Sequence, residues 1–442
     1  MPLTAISIEN LYGIFQKHPK VIIDSRQVEP GCLFFALKGD RFDGNNFAKQ
    51  AIDKGAAYAI VDDLSVGDNA RFLLVEDVLT TLQQLARRHR RQFDIPILAI
   101  TGSNGKTTTK ELVSAVLASH YPAHFTKGNF NNHIGVPLTL LAMPTGTKIA
   151  VVEMGANHPG EIDALCQIAE PTHGLITNVG KAHLEGFGDF EGVKKTKSEL
   201  YQYLSDHNGC VLINSDEPFL SDLAKENKRK IFYEKSEAPS PDYVPFEVKL
   251  VASEPFSKVA FLSATGELYT ANSHLVGSYN FNNIMTAIAV GKYFKVPAYK
   301  IKAAIEGYVP SNNRSQLLHL ASNTFLMDAY NANPTSMKNA ILSFAAMKAD
   351  KKIVILGSML ELGSFSEMEH EKLTELALTS GISKVIFVGK EFQKAARQTN
   401  TLWFEDTNHL KTWFWQQNFT NAHILVKGSR SIGLEKLVED TP

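Results

Sequence analysis

The feature that most constrains this chain is an apolar segment of strand length, residues 95–101, that leads straight into a glycine loop, GSNGKT, at residues 102–107. Glycines let backbone N–H groups turn toward phosphate oxygens, and the N-terminus of a following helix, expected over residues 110–119, adds a positive dipole. Lys106 would supply charge and Thr107 a hydroxyl for Mg²⁺. Ile100 stands where the common phosphate loop has its first glycine, so this loop is a shortened one. The alternative is an ordinary strand-to-helix turn.

The chain has 442 residues, more than the about 250–300 at which a single hydrophobic core stops growing, so several domains are expected. Short apolar runs alternate with turns and helical patterns throughout. We predict an α/β fold with a small α/β domain (1–93), a mostly parallel sheet covered by helices (94–310) and a second doubly wound sheet (311–442). A stretch punctuated by prolines, residues 233–275, is expected to be an antiparallel excursion from the central sheet.

Composition excludes several classes of function. Lysine and arginine number 45 against 46 acidic residues, so no overall basic field exists to hold nucleic acid or an anionic membrane. The basic run at residues 87–91 is expected to be the solvated C-terminus of a helix over residues 78–91. The three cysteines have no metal-site spacing and are expected as buried thiols. No leader pattern or apolar run of about 18 residues occurs, so we expect a cytoplasmic protein, with a monomer as the default.

Three charged or titratable residues follow predicted strands of the central region. Glu153 ends the strand 149–153, so its carboxylate is expected at the same sheet edge as the loop, where such an acid holds Mg²⁺ on the phosphates. His183 follows the strand 174–178, and Lys197 lies fourteen residues beyond it. Each alone has an ordinary alternative: a capping carboxylate, a histidine in a turn and a solvated lysine.

Asparagine is concentrated in three further loops, at residues 128–135, 277–283 and 328–334. An asparagine side chain offers both a donor and an acceptor, which suits the recognition of a base or an amide. The alternative for each cluster is that the asparagines fill turns or cap helices.

Together these stretches resemble the Mur ligase family over nearly the whole chain. The matching segments are residues 24–39, 102–111, 328–337, 359–363 and 427–430. The resemblance implies an N-terminal domain for a UDP-sugar, a central P-loop domain for ATP and Mg²⁺, and a C-terminal Rossmann-like domain for the incoming amine. The chain most resembles the members that join D-Ala-D-Ala to UDP-MurNAc-tripeptide through an acyl phosphate, the last cytoplasmic step of peptidoglycan precursor synthesis.

The resemblance also assigns site residues. Those implied for ATP are the loop residues Gly102, Ser103, Asn104, Gly105, Lys106, Thr107 and Thr108. Asn280 and Asn283 are implied for the adenine side of the site, and Arg314 and Asp328 for the phosphate and ribose. Those implied for catalysis are Lys106, Asn132, Glu153, His183 and Lys197. Those implied for magnesium are Thr107, Glu153, His183 and Lys197, the last as a carbamate. Those implied for the substrates are Ser25 and Arg26 for the uridine nucleotide, and Asn331, Asn333, Lys427, Ser429 and Arg430 for the amine. His133 beside Asn132 leaves that assignment open by one residue.

The sequence departs from the family pattern at Tyr279, where many relatives have histidine, and at Ser358, where many have aspartate. The Asp-Asn-Pro-Arg motif of the diaminopimelate-adding relatives is absent, which argues against that activity. The alternatives are another Mur ligase, a folylpolyglutamate synthetase, an idle ATP-binding protein or a nucleic-acid-dependent ATPase. The third residue of the accepted peptide, lysine or diaminopimelate, is left open.

Overall fold

The computed structural model describes residues 6–67, 69–237, 246–311 and 313–439. Pro239, Pro241 and Pro245 of the proline-punctuated stretch lie outside these residues, as do residues 1–5 at the start of the chain. Three parallel or mostly parallel sheets follow one another along the sequence, each covered by helices, which confirms the predicted α/β class.

The first sheet has four parallel strands in the order β1-β2-β5-β6, and a short antiparallel hairpin, β3-β4, lies beside it. Its elements are α1 (Ile8–Lys17), β1 (Val21–Ile22), β2 (Leu33–Phe35), β3 (Lys38–Gly39), β4 (Phe42–Asp43), α2 (Ala48–Asp53), β5 (Tyr58–Val61), β6 (Phe72–Leu74) and α3 (Val78–Arg90). Each of these helices packs its apolar face into the interior, so the short strands are covered.

The second sheet has nine strands in the order β15-β14-β13-β12-β11-β10-β7-β9-β8. Its strands are β7 (Ile97–Thr101), β8 (Ala123–Phe125), β9 (Ile149–Glu153), β10 (His173–Ile176), β11 (Cys210–Asn214), β12 (Arg229–Lys235), β13 (Phe246–Ala252), β14 (Phe256–Leu262) and β15 (Leu268–Val276). Its helices are α4 (Lys106–Ala118), α5 (Gly135–Leu141), α6 (Glu161–Ala169), α7 (Leu184–Phe187), α8 (Phe190–Asp206), α9 (Leu220–Leu223), α10 (Phe281–Tyr293) and α11 (Ala298–Gly307).

Two expectations for this region need correction. The antiparallel excursion begins only at β13, because β12 pairs in parallel with both β11 and β13. Helix α4 begins at Lys106, four residues before the predicted start, because Gly105 has a left-handed backbone that opens the helix directly after the loop. The threonines at residues 107–109 are poor helix formers, but here they are buried, and tertiary packing overrides propensity.

The third sheet has six strands in the order β16-β17-β21-β18-β19-β20, of which only the edge strand β16 is antiparallel. Its elements are β16 (Gln316–Leu320), β17 (Asn323–Asp328), α12 (Pro334–Ala346), β18 (Lys352–Gly357), α13 (Ser366–Thr379), β19 (Lys384–Val388), α14 (Gln393–Gln398), β20 (Leu402–Phe404), α15 (Thr407–Gln416) and β21 (His423–Lys427). This is the doubly wound arrangement that the sequence predicted.

The basic run ends α3 as predicted, and Arg91 is exposed, but Arg90 is not solvated. Arg90 is buried, and its guanidinium donates to the carbonyls of Ala169 at 3.0 Å and Glu170 at 3.0 Å, at the C-terminus of α6. Arg87 and Arg91 form ion pairs with the Glu170 carboxylate at 2.8 and 2.6 Å. The arginines therefore complement the negative C-terminal end of α6 as well as that of α3. They also connect the helices of the first sheet to those of the second sheet.

Two other expectations concern the cysteines and the membrane. Cys32, Cys166 and Cys210 are free and buried, as predicted. Among the described residues, no helix combines the length and the apolar character that crossing a bilayer requires.

Candidate active site

The glycine loop follows β7 and is shaped by two glycines that no other residue could replace. Gly102 has a φ of 141°, and a Cβ there would lie 2.0 Å from the Thr177 hydroxyl oxygen. Gly105 has a φ of 77°, and a Cβ there would lie 2.5 Å from the Asn283 side-chain oxygen. Both backbones therefore need the left-handed freedom and the empty space that glycine provides. A phosphate-binding loop requires this close backbone approach.

Lys106 is the first residue of α4 and is half-buried within the loop. Its Nζ donates to the Gly102 carbonyl at 2.8 Å and lies 3.4 Å from that of Ser103. Burial lowers the pKa of this ammonium, although the nearby Glu153 carboxylate acts in the opposite direction. The lysine thus turns back over the loop, where its charge faces the space that a phosphate would fill.

Glu153 ends β9, and the parallel register places it beside Ile100, two residues before the loop. Its carboxylate is fully buried. One oxygen accepts from the Thr107 hydroxyl at 3.1 Å and from the Asn131 amide at 2.7 Å, whereas Oε2 has no hydrogen-bond partner among the described residues. A buried carboxylate oxygen without a partner is costly, and a divalent cation would satisfy it.

The two neighbouring asparagines after β8 make different contacts. Asn131 reaches Glu153, but Asn132 is exposed and its side chain accepts from the backbone N–H groups of Ile134 at 3.2 Å and Gly135 at 2.9 Å. Asn132 therefore bonds to the backbone just before and at the start of α5, whereas Asn131, which was not predicted, contacts the buried carboxylate.

His183 follows β10 with a left-handed backbone, and its ring Nδ1 is hydrogen-bonded to the Glu361 carboxylate of the third sheet's loops. This contact lowers the pKa of Glu361. Lys197 lies on α8, 1% exposed, with its Nζ 3.5 Å from the Ala156 carbonyl oxygen and 5.2 Å from the centre of the Phe187 ring. Burial, assisted by the charge of Lys106, lowers the pKa of Lys197 to about 7.

The asparagines predicted for the adenine are held by protein contacts. Asn280 donates to the Val276 carbonyl at 2.8 Å and to the Ser315 hydroxyl at 3.1 Å. Asn283 donates to Asn280 at 2.9 Å and accepts from the Thr109 hydroxyl at 3.0 Å. Both therefore brace the start of α10 against the loop helix. The Asn280 amide uses both of its hydrogens in these contacts, whereas the Asn283 amide uses one.

The third sheet presents a cationic group to the same space. Lys427 ends β21 and donates to Asp328, at the end of β17, at 2.6 Å. The guanidinium carbons of Arg314 and Arg430 lie 3.5 and 4.9 Å from the centre of the Tyr330 ring, so one aromatic ring orients two cations. No sequence signal had identified Tyr330, because its role depends on residues far away in the chain.

A single cavity of about 1340 Å³ joins these groups and extends to α3 beside the first sheet. The predicted site residues that line it are Ser103, Asn104, Gly105, Lys106, Thr107, Thr108, Asn132, Glu153, His183, Asn280, Asn283, Arg314, Asp328, Asn331, Asn333, Lys427 and Arg430. Asn131, Gln83 of α3 and Glu361 line it without having been predicted.

Five predicted residues do not line this cavity. Gly102 and Lys197 lie behind its wall, and the Ser429 hydroxyl accepts from the Leu360 N–H at 3.0 Å, which holds the 359–363 loop. Ser25 and Arg26 lie in a turn of the first region, where the exposed Arg26 guanidinium pairs with Asp24 at 2.7 Å.

The site combines a shortened phosphate loop, an adjacent buried carboxylate and a sheet that presents cations to both of them. Together these features define a P-loop nucleotide-binding enzyme. The chain matches the profiles described as "Mur ligase family, catalytic domain" over residues 20–90, "Mur ligase middle domain" over 100–291 and "Mur ligase, glutamate ligase domain" over 313–430. It is 35% identical to the UDP-N-acetylmuramoyl-tripeptide--D-alanyl-D-alanine ligase of Bacillus subtilis, over 95% of this chain and 92% of that protein. The chain therefore belongs to the Mur ligase family and is an ATP-dependent ligase that forms an amide bond.

Solved structures of Mur ligases are also similar to this chain. A crystal structure of MurF from Acinetobacter baumannii is similar with a TM-score of 0.84 and 29% identity, covering 100% of this chain and 99% of that one. MurF ligase from Thermotoga maritima, solved in complex with ADP, has a TM-score of 0.82 and 27% identity, covering 96% of each chain. The similarity thus extends over all three sheets.

Proposed function

We propose that this chain joins D-Ala-D-Ala to UDP-MurNAc-tripeptide with ATP, releasing ADP and phosphate, in the cytoplasm. The observation that supports this most directly is the single cavity, because it connects the phosphate loop with α3 on one side and with Lys427 and Arg430 on the other. Its lining comes from all three regions, so we infer that it binds the nucleotide, the carboxylate substrate and the amine. We assign these three functions to residues 94–310, 1–93 and 311–442, respectively.

The reaction has two steps. A terminal carboxylate oxygen of the tripeptide attacks the γ-phosphorus of ATP, the bond from that phosphorus to the bridging oxygen breaks, and ADP leaves. The dipeptide amine then attacks the acyl carbon, the bond from carbon to the phosphate oxygen breaks, phosphate leaves, and the nitrogen loses a proton. Lys106 neutralises charge on the transferred phosphoryl group, and positioning by the loop supplies most of the remaining catalysis. Packing of the third sheet over the site protects the acyl phosphate from water.

The residues present fit Mg²⁺. Thr107 and Glu153 would hold one ion, since the Glu153 carboxylate has an oxygen without a partner among the described residues. His183 would hold a second, because a histidine that donates from one ring nitrogen to a carboxylate, here Glu361, presents the other to a metal. Bound Mg²⁺ would neutralise the β- and γ-phosphates. The described residues contain no cluster of three His, Cys, Asp or Glu side chains that could hold a metal ion.

We further propose that Lys197 is carbamylated and supports the second ion. Only the neutral amine reacts with CO₂, and a pKa of about 7 leaves much of this buried amine neutral near pH 7. The reaction adds CO₂ to nitrogen and releases one proton, so acid opposes it.

Lys197→Ala is expected to lower the turnover rate about 10- to 100-fold, the usual cost of removing support from a metal site. Acetate or formate should restore part of the activity by supplying the missing carboxylate. Lys194→Ala, three residues earlier on the same helix at a partly exposed site, is the control and should retain activity. Failure of every short carboxylate to rescue the variant would contradict the carbamate.

The family contains other activities, and the folylpolyglutamate synthase of Mycobacterium tuberculosis shares this fold, with a TM-score of 0.62 at 14% identity over 82% of this chain. The segment at residues 24–39 of the first region argues for a uridine nucleotide instead of a folate. We assign Ser25 and Arg26 to that nucleotide and Asn331, Asn333, Lys427, Ser429 and Arg430 to the amine side.

Substrate dependence tests the proposal. Purified protein with ATP, Mg²⁺ and UDP-MurNAc-tripeptide should release ADP when D-Ala-D-Ala is added, and a product heavier by the dipeptide less one water should appear in the mass spectrum. Diaminopimelate, lysine or glutamate should not replace the dipeptide. Turnover with one of these amines and none with D-Ala-D-Ala would overturn the assignment. Tripeptides ending in lysine and in diaminopimelate should be compared side by side.

A further inference from the structure

One contact links the phosphate loop directly to the third sheet. The Asn333 side-chain nitrogen donates to the side-chain oxygen of Asn104 at 2.7 Å, across 229 residues of sequence. Asn104 is in the middle of the GSNGKT loop, and Asn333 is the residue that caps α12. The sequence assigned the first to ATP and the second to the amine, but in the structure these two side chains bind each other.

The backbone of Asn104 is fixed by the end of β10. Its carbonyl accepts from the Thr177 hydroxyl at 2.7 Å and from the Asn178 amide at 3.0 Å, and its N–H donates to the Asn178 side-chain oxygen at 3.0 Å. The side chain of Asn104 consequently leaves the loop in a defined direction. A shift of this backbone would therefore move the Asn104 side chain that contacts Asn333.

Asn333 is equally constrained at its own end. Its side-chain oxygen accepts from the Ser336 N–H at 2.9 Å, and the Ser336 hydroxyl lies 3.1 Å from the Asn333 N–H, a complete capping box. At the other end of the same segment, Asp328 is paired with Lys427. Residues 328–333 are therefore anchored at both ends, and Tyr330 and Asn331 between the anchors line the cavity.

The start of α12 also rests on the loop after β10. The Lys181 N–H donates to the Thr335 hydroxyl at 3.1 Å, and a Cβ at Gly180 would lie 3.0 Å from that hydroxyl oxygen and 3.3 Å from the Asn104 nitrogen. The packing leaves little room for α12 to slide. Among these contacts, the pair Asn104–Asn333 is the one made by the phosphate loop itself.

We propose that Asn104 and Asn333 are a positioning pair that sets the distance between the phosphate loop and the amine-binding segment 328–333. This inference rests on the proposed ligase function and deepens it. Formation of the acyl phosphate needs the loop and the carboxylate, but attack by the amine also needs the third sheet at the correct distance. A shift of about 1 Å in such an arrangement can lower a rate about 100-fold. The pair therefore affects the second step more than the first.

The test compares Asn104→Ala, Asn333→Ser and the double variant. Serine caps a helix nearly as well as asparagine but is too short to reach Asn104, so the fold of α12 is preserved. We expect each single variant to slow amide formation at least about 10-fold, with the double variant no slower than the worse single one, because all three lose the same contact. The first step is read by scrambling of isotope from the bridging to the non-bridging oxygens of ATP, with the tripeptide present and the amine absent. Scrambling should fall less than amide formation in every variant, because Thr177 and Asn178 still hold the backbone of the loop.

Defects that multiply in the double variant would overturn the proposal, because the two side chains would then act independently. An equal fall in isotope scrambling would also overturn it, since the loop itself would then be damaged.

Small-angle scattering with a non-hydrolysable ATP analogue provides a readout that needs neither substrate. Both single variants should show a larger radius of gyration than the unsubstituted protein, and an unchanged radius would overturn the proposal. If scattering responds while the unsubstituted protein makes no amide from D-Ala-D-Ala, the proposed substrate is wrong but the positioning pair is not.

Discussion

Lys106→Met is expected to lower the rate of ADP release about 10²- to 10³-fold, the usual cost of removing one preorganised group that stabilises transition-state charge. Methionine keeps the length of the side chain but removes the ammonium that now lies 2.8 Å from the Gly102 carbonyl oxygen, at the mouth of the loop. The measurement is steady-state ADP release at saturating ATP, together with the affinity for an ATP analogue.

Lys110→Met is the matched control for this variant. Lys110 lies one turn later on α4, buried, with its Nζ 3.5 Å from the Gly128 carbonyl oxygen and 3.6 Å from the Glu111 carboxylate. It does not line the cavity, so its replacement should leave most of the activity intact. Equal losses in both variants would show that α4 tolerates no neutral side chain, and the role assigned to Lys106 would fail.

Glu153→Gln is expected to reduce turnover about 10²- to 10³-fold and to raise the Mg²⁺ concentration needed for half-maximal rate, because a bound ion supplies several kcal/mol of charge stabilisation. Glutamine preserves the shape and can still accept from Thr107 and Asn131. Without Mg²⁺ the variant should melt no lower than the unsubstituted protein, since it no longer buries a carboxylate with an unsatisfied oxygen.

Glu191→Gln, which removes a carboxylate from an exposed surface pair with Lys194, is the control and should change neither the Mg²⁺ requirement nor the rate. If Glu153→Gln kept a normal Mg²⁺ requirement, Glu153 would not be a metal ligand. A lowered melting temperature would instead assign it a structural role.

Much of the central sheet could be predicted because the relevant signals are local. Strand β9 was predicted over residues 149–153 and is observed as Ile149–Glu153. Glu153 was expected at the loop's edge of the sheet, and the Thr107 hydroxyl donates to it at 3.1 Å. Both predictions follow from strand periodicity and from the rule that parallel strands end at a common edge.

The predictions that failed concern side chains whose partners lie on other elements. Arg90 was expected in solvent because a basic run at a helix end is usually hydrated, but its guanidinium is buried against the carbonyls of Ala169 and Glu170. The contact of Asn131 with Glu153 was not predicted, because adjacent asparagines differ only in which way the chain turns.

By itself, the sequence determined the phosphate loop, the order of strands and helices in three regions, and the edge of the sheet where the chemistry occurs. These depend on residues close together in the chain, such as glycines that need positive φ and apolar residues in strand-length runs. Only the tertiary structure decided which side chains meet across the regions, as in Asn104 with Asn333 and His183 with Glu361. Such contacts are set by the packing of separate sheets against one another. Short-range sequence patterns contain no information about how far apart those sheets lie.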